Sequence, residues 1–149
     1  FATMPKPKIK EQDIVEITKS AVQIFKNANL KIKTTKKKII WPIDRTQWIR
    51  VLTNLIQNAI QAVPENRTPK INLEILLEKN KLKMNLEDNG TGIVKRDQLK
   101  IFEPKFTTKS AGMGLGLAIV KNIIDSLNGT INFKSEPNKG TKFSITLKK

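Results

Sequence analysis

The sequence predicts a two-layer α/β (α+β) sandwich: a mixed, mostly antiparallel sheet of about five strands, three main helices on one face, and a mobile glycine-rich lid. Three observations carry this expectation. Helical periods and strand alternations follow one another as helix, strand, helix, strand, strand, lid, helix, strand, strand, which is not the alternation of βαβ units. Five of the seven glycines fall in two clusters between Leu86 and Ala118, joined by a polar, threonine-rich connector. No G-x-x-x-x-G-K-[ST] occurs, so neither a P-loop nor a doubly wound dinucleotide fold fits.

Residues 1–10, with Pro5, Pro7 and three lysines, read as a linker, and 11–149 as the domain. Over 11–27 the apolar residues Ile14, Val15, Ile17, Ala21, Val22, Ile24 and Phe25 recur at helical spacing. Residues 31–40 alternate weakly and are rich in Thr, Ile and Lys, which predicts an exposed strand whose Lys36-Lys37-Lys38 run is a solvated edge. Asp44 is placed to cap a helix that runs to about Val63, ahead of Pro64, with Trp48, Val51, Leu52, Leu55, Ile56, Ala59 and Val63 as its apolar stripe. Two alternating runs, 70–79 and 81–87, predict a strand pair joined at Asn80. Residues 93–101 read as a short helix or turn, and 115–127 as a buried helix. Asn128-Gly129 and Asn138-Lys139-Gly140 then punctuate a terminal hairpin, 130–135 and 141–148.

Composition narrows the chemistry. At 149 residues the chain makes one domain. It has neither cysteine nor histidine, so thiolate and imidazole chemistry are excluded and any metal must be held by oxygen, which points to Mg²⁺ or a similar hard cation. No apolar run approaches the roughly 20 residues that span a bilayer. The net charge of +15 invites a nucleic-acid reading, but lysine is scattered through every segment, arginine stands only at Arg45, Arg50, Arg67 and Arg96, and no aromatic stacking platform exists. Nucleic acid is therefore not expected as a partner.

The glycine clusters are Glu87-Asp88-Asn89-Gly90-Thr91-Gly92-Ile93 and Gly112-Met113-Gly114-Leu115-Gly116-Leu117-Ala118. Glycine lets backbone amides gather around an anion, and the helix after the second cluster offers its positive N-terminal end to phosphates. Asp88 ends a strand before the first cluster. It reads either as a turn-forming side chain or as an acceptor aimed into what the glycines enclose. Asn54 and Asn58, one turn apart on one helix face, read either as hydrated polar side chains or as ligands. Phe102 reads as a core plug as readily as a functional residue.

In order along the chain, Asn54-Leu55-Ile56-Gln57-Asn58-Ala59 resembles an N box, Asp88-Asn89-Gly90-Thr91-Gly92 a first glycine box, and Phe102-Glu103-Pro104-Lys105-Phe106 a phenylalanine box. Gly112-Met113-Gly114-Leu115-Gly116-Leu117 resembles a second glycine box and Gly140-Thr141 a closing Gly-Thr. Together they resemble the catalytic ATP-binding domain of bacterial sensor histidine kinases, within the superfamily of gyrase, chaperone and mismatch-repair ATPases, and the opening Phe1-Ala2-Thr3-Met4-Pro5-Lys6-Pro7 resembles the junction after the dimerisation helix pair in nitrogen-regulation-type sensor kinases. The resemblance implies Mg-ATP as substrate, with ADP as product. It implies that Asn58 coordinates Mg²⁺, that Asn54 sits beside the phosphates as a catalytic residue, and that Asp88 accepts from the adenine amine, aided by Thr141 through water. Gly90 and Gly92 would let the chain turn under the base, and Gln61, Ala62 and Ile93 would also bind the nucleotide. Lys109, also acting in catalysis, and the amides around Gly114 and Gly116 would neutralise the β- and γ-phosphates, and Phe106, Thr107, Thr108, Gly112, Met113, Leu115 and Leu117 would also bind ATP. Residues 94–113 would be the ATP lid. Gln61 departs from relatives that carry a basic residue there, which shifts phosphate charge onto Lys109.

The missing histidine implies a phosphoacceptor on dimerisation helices upstream of residues 1–10, a homodimeric parent, a monomeric isolated domain, and a response-regulator receiver as indirect partner. A cytoplasmic location is implied, with a parent that could be anchored in the inner membrane. Two alternatives share the fold: an ATPase switch of the gyrase or chaperone kind, and a serine kinase of the anti-sigma type. The ATPase would need a glutamate base where Asn54 stands.

Overall fold

Alternating burial along the strands sets the architecture in the computed structural model, which describes residues 6–25, 28–103 and 116–149. The elements are β1 (Lys10–Asp13), α1 (Ile14–Val22), β2 (Leu30–Thr34), β3 (Ile40–Ile43), α2 (Arg45–Ala62), β4 (Ile71–Glu78) and β5 (Lys81–Glu87), then α3 (Lys95–Gln98), α4 (Gly116–Ser126), β6 (Thr130–Glu136) and β7 (Gly140–Lys148). The main sheet runs β2-β4-β5-β7-β6. Its β2–β4 pair is parallel and the other pairs are antiparallel, so the expected mixed, mostly antiparallel five-stranded sheet is present.

In β5 and β7 the residues Leu82, Met84, Leu86, Phe143, Ile145 and Leu147 are buried, and the intervening positions, such as Lys83, Lys142 and Lys148, are not. One face is thus apolar and takes the helices, and the other stays polar and bare. α2 is the central helix of that layer, touching α1 on one side, α4 on the other and β4 and β5 beneath. Its stripe of Trp48, Val51, Leu52, Leu55, Ile56 and Ala59 is almost wholly buried. Val51, Leu52, Leu55 and Ile56 each stabilise the fold by about 1.5–3 kcal/mol relative to exposure. The Trp48 Nε1–H donates to Thr18 Oγ1 at 3.0 Å, and that hydroxyl donates to the Ile14 carbonyl at 2.7 Å, so these two buried polar groups are satisfied. Asp44 caps α2 as expected, its Oδ1 accepting from the Gln47 N–H at 3.0 Å.

Two expectations are corrected. The stretch 11–27 is not one helix: Lys10–Asp13 is a strand, α1 starts only at Ile14, and a short 3₁₀ turn covers Gln23–Phe25. Asp13 is the reason, because its Oδ1 accepts both the Val15 N–H at 3.1 Å, as the cap of α1, and the Ile39 N–H at 3.1 Å. Likewise 31–40 is not one strand. β2 ends at Thr34, and β3 begins at Ile40 to pair antiparallel with β1 in a separate two-stranded ribbon. Pro42 sits in that ribbon, tolerated because β3 pairs on one side only. Phe102, one of the two readings kept open, packs edge-on against Phe133 and Phe143, with centroids 5.9 and 6.4 Å away.

Candidate functional site

β5 ends by delivering Asp88 on the helix-facing side, in phase with Met84 and Leu86, and leaves it only 7% exposed. Thr141, early in β7, is 5% exposed beside it. The two backbones are tied, Asp88 N–H donating to the Thr141 carbonyl at 2.9 Å. The Asp88 Oδ1 accepts the Gly90 N–H at 2.8 Å and the Thr141 N–H at 3.3 Å. The turn-forming role of Asp88 is therefore real: its Oδ1 shapes the turn at the rim of the core. Gly140 allows this approach. It has φ +125°, and a Cβ there would run into the Asp88 carbonyl oxygen.

The loop after Asp88 is anchored on two sides. Thr91 N–H donates to the Ala62 carbonyl at 2.9 Å, and a Cβ at Gly90 would stand 2.7 Å from the Ala62 Cβ, so the turn closes against the C-terminal end of α2. Ile93 N–H donates to Ser135 Oγ at 2.7 Å, and Asn138 N–H to the Thr91 carbonyl at 2.6 Å, which fixes the loop to the β6–β7 hairpin. Gly92, at φ +75°, passes so close to Glu136 that no side chain fits. Ser135 Oγ also lies 2.8 Å from Thr141 Oγ1. Sequence reasoning missed Ser135. The signal was the alternation Ile131, Phe133, Ser135, which puts its hydroxyl on the inner face at the rim.

On α2 the amide of Asn54 is oriented by its own helix: Nδ2 donates to the Arg50 carbonyl at 2.9 Å. Its Oδ1 therefore faces the start of α4, 3.2 Å from where a Cβ on Gly116 would stand. Asn58 follows one turn later, half-buried, with Ala62 a further turn on and Gln61 exposed. Leu117 and Ile93 are partly buried and pack on the core. The structure thus brings Ala62, Gly90, Asp88, Thr141, Gly92 and Ile93 together at the C-terminal end of α2, and sets Asn54, about two turns back on that helix, against Gly116. Phe106, Thr107, Thr108, Lys109, Gly112, Met113, Gly114 and Leu115 lie outside the described residues. A groove of about 520 Å³ opens beside the 88–90 turn, lined by Lys70, Asn72, Glu87, Lys134 and Lys142 and also by Asp88, Ser135 and Thr141.

Among the described residues no group of three or more His, Cys, Asp or Glu could hold a metal. The donors that could serve a hard cation at this end of the layer are amide oxygens, which suit Mg²⁺ when phosphate and water supply the remaining ligands.

A family model describing histidine kinase-, DNA gyrase B- and HSP90-like ATPases matches residues 43–149. The chain belongs to that family. A solved catalytic domain of histidine kinase ThkA, in a nucleotide-free form, superimposes with a TM-score of 0.84 at 32% identity, over 95% of this chain and 96% of that one. Within the family the chain is thus a histidine kinase catalytic domain, and ATP is the nucleotide that such ATPase domains take. Sensor protein TdiS of Thauera aromatica is 38% identical over 110 residues, 71% of this chain and 20% of that protein. Nitrogen regulation protein NtrY of Azorhizobium caulinodans is 31% identical over 157 residues, 99% of this chain and again 20% of the relative. The chain therefore spans about a fifth of the length of these curated relatives. No helix of the described residues is long and apolar enough to cross a membrane.

Proposed function

We propose that this kinase domain binds Mg-ATP between α2, the 88–93 loop and the start of α4, and donates the γ-phosphoryl group to a histidine on separate dimerisation helices. The observation that carries the reading is the pairing of Asp88 and Thr141, a buried carboxylate and hydroxyl at the closed end of a glycine turn. A carboxylate there accepts from the 6-amino group of adenine, whereas guanine offers a carbonyl, which a carboxylate repels. Thr141, with Ser135 behind it, adds a hydroxyl that can bridge to the ring through water.

Asn58 would supply an amide oxygen to Mg²⁺, which when bound neutralises charge on the β- and γ-phosphates. Asn54 turns an oxygen, not its NH₂ group, toward Gly116, so it would address the phosphates through the cation or its water rather than directly. Lys109 and the amides of the second glycine cluster would complete the phosphate side. An asparagine cannot take a proton from water, and the Asn54 amide is already committed to its helix, so activation of water for hydrolysis is not supported. The phosphoryl group then awaits a nucleophile about 3–3.5 Å away and in line, which a docked histidine would provide. The relatives' names as sensor proteins favour this over the ATPase switch and the serine kinase. A response-regulator receiver would be the next acceptor.

Radiolabelled ATP tests the reading with three samples: this chain, the dimerisation hairpin of its parent protein, and both together. Acid-labile label on the hairpin only in the mixture is expected. Rapid phosphate release by the chain alone, or acid-stable label, would overturn it.

A further inference from the structure

The turn that carries Asp88 is held by a side chain outside every sequence motif. Arg67, in the loop between α2 and β4, donates from Nη1 to the Asn89 carbonyl and, at 3.2 Å, to the Gly90 carbonyl. These are the two residues immediately after Asp88. Asn89 grips the same loop twice more: its Oδ1 accepts the Lys70 N–H at 2.8 Å and its Nδ2 donates to the Thr68 carbonyl at 2.9 Å. Arg67 is itself fixed by a turn, its N–H donating to the Pro64 carbonyl at 3.0 Å. Since Asp88 Oδ1 accepts the Gly90 N–H at 2.8 Å, the direction of the carboxylate follows the place of that peptide unit. Bonds from a charged donor are about twice as strong as neutral ones, and this guanidinium is half-buried, so solvent competes weakly for it.

We infer that Arg67 is a positioning residue for base recognition: it sets the 88–90 turn and, through it, aims the Asp88 carboxylate at the 6-amino group of the purine. The inference rests on the assignment of Asp88 to that amine. Arg67 acts on the ligand only through Asp88, which separates it from a residue that merely holds the loop together.

The test measures binding of ATP and of purine riboside triphosphate, which lacks the amine, to the intact chain and to Arg67→Met, Asp88→Ala and the double variant. Arg67→Met keeps most of the stem and removes the donor. The wild type is expected to prefer ATP by about tenfold, the worth of one buried hydrogen bond. Arg67→Met should lose most of that preference while binding the analogue as before, and should add almost nothing to Asp88→Ala, as two residues acting through one contact do. Arg67→Lys should restore most of the preference, because a single nitrogen makes both bonds and an ammonium has donors for two carbonyls. Equal losses for both nucleotides, additivity with Asp88→Ala, or an unchanged preference in a folded Arg67→Met would overturn the inference. If Asp88→Ala itself leaves the preference intact, the base assignment fails and the inference with it. Should Arg67→Met not fold, Arg67→Gln carries the same comparison.

Discussion

At the scale of single residues, two glycines of the site divide the work between shape and chemistry. Gly140 needs φ +125° and faces the Asp88 carbonyl, so Gly140→Ala introduces both backbone strain and a collision with main chain. A loss of at least about 1–3 kcal/mol in urea unfolding is expected, together with weaker nucleotide binding. Gly116 has ordinary helical geometry, and its nearest neighbour is a side-chain oxygen, that of Asn54, at 3.2 Å. Gly116→Ala should leave stability equal or raised, since alanine favours a helix by about 1 kcal/mol, yet weaken Mg-ATP binding by displacing Asn54. Unfolding curves and calorimetry on both variants check the contrast. Much of the residue-level site was legible because its groups are encoded locally: Asp88 before Asn89-Gly90, Asn54 and Asn58 at one-turn spacing. Arg67 and Ser135 were not legible. Each acts across more than 20 residues of sequence, on Asn89 and Ile93 respectively; the alternation of β6 marks Ser135 as inward but not its partner, and nothing around Arg67 marks it.

At the scale of elements, Asp44 links the helix that carries both asparagines to the segment leading into the domain. Its Oδ1 caps α2 and its Oδ2 accepts the Lys8 N–H at 2.7 Å. Partial burial pushes its carboxyl up, but the N–H groups of Lys8, Gln47 and Thr46, with the Lys8 charge, outweigh that and hold it below its ordinary value of 3.8. A carboxyl depressed in the folded state contributes stability that is complete well above 3.8 and is lost as pH falls through the lower folded value. Asp44→Ala should cost about 1 kcal/mol at neutral pH, the worth of an N-cap. Asp44→Asn, which keeps a capping oxygen, should cost less. Urea midpoints taken down the pH scale should show the wild type and Asp44→Ala converging below 3.8; a constant gap would contradict the linkage. The same neighbourhood shows why boundaries were misread. The helical period of 11–27 was genuine from Ile14 onward, but Gln12 and Asp13 are committed to β3, some 27 to 31 residues away, a partner no local pattern reveals. Pro42 disguised β3 itself, and the weak alternation of 31–40 concealed a turn after Thr34.

For the whole molecule, the bare and helix-covered faces of one sheet decide where chemistry can occur. The fold was legible because strand alternation and helix stripes are short-range signals. The parallel β2–β4 pairing and the β1–β3 ribbon were not, since both join segments across long connections. Family membership supplies ATP, and the arrangement around Asp88 supplies the reason it would be ATP rather than another nucleoside triphosphate. The net charge of +15 attracts any of these anions alike, so base selectivity must come from the site and should survive added salt even as overall affinity falls. The most direct measurement is calorimetric titration of the unaltered chain with Mg-ATP and with Mg-GTP at two salt concentrations. ATP should bind at least about tenfold more tightly than GTP at both, because guanine sets a carbonyl against the Asp88 carboxylate. Equal affinities, or a preference that vanishes with salt, would contradict the assignment of Asp88 to the adenine amine.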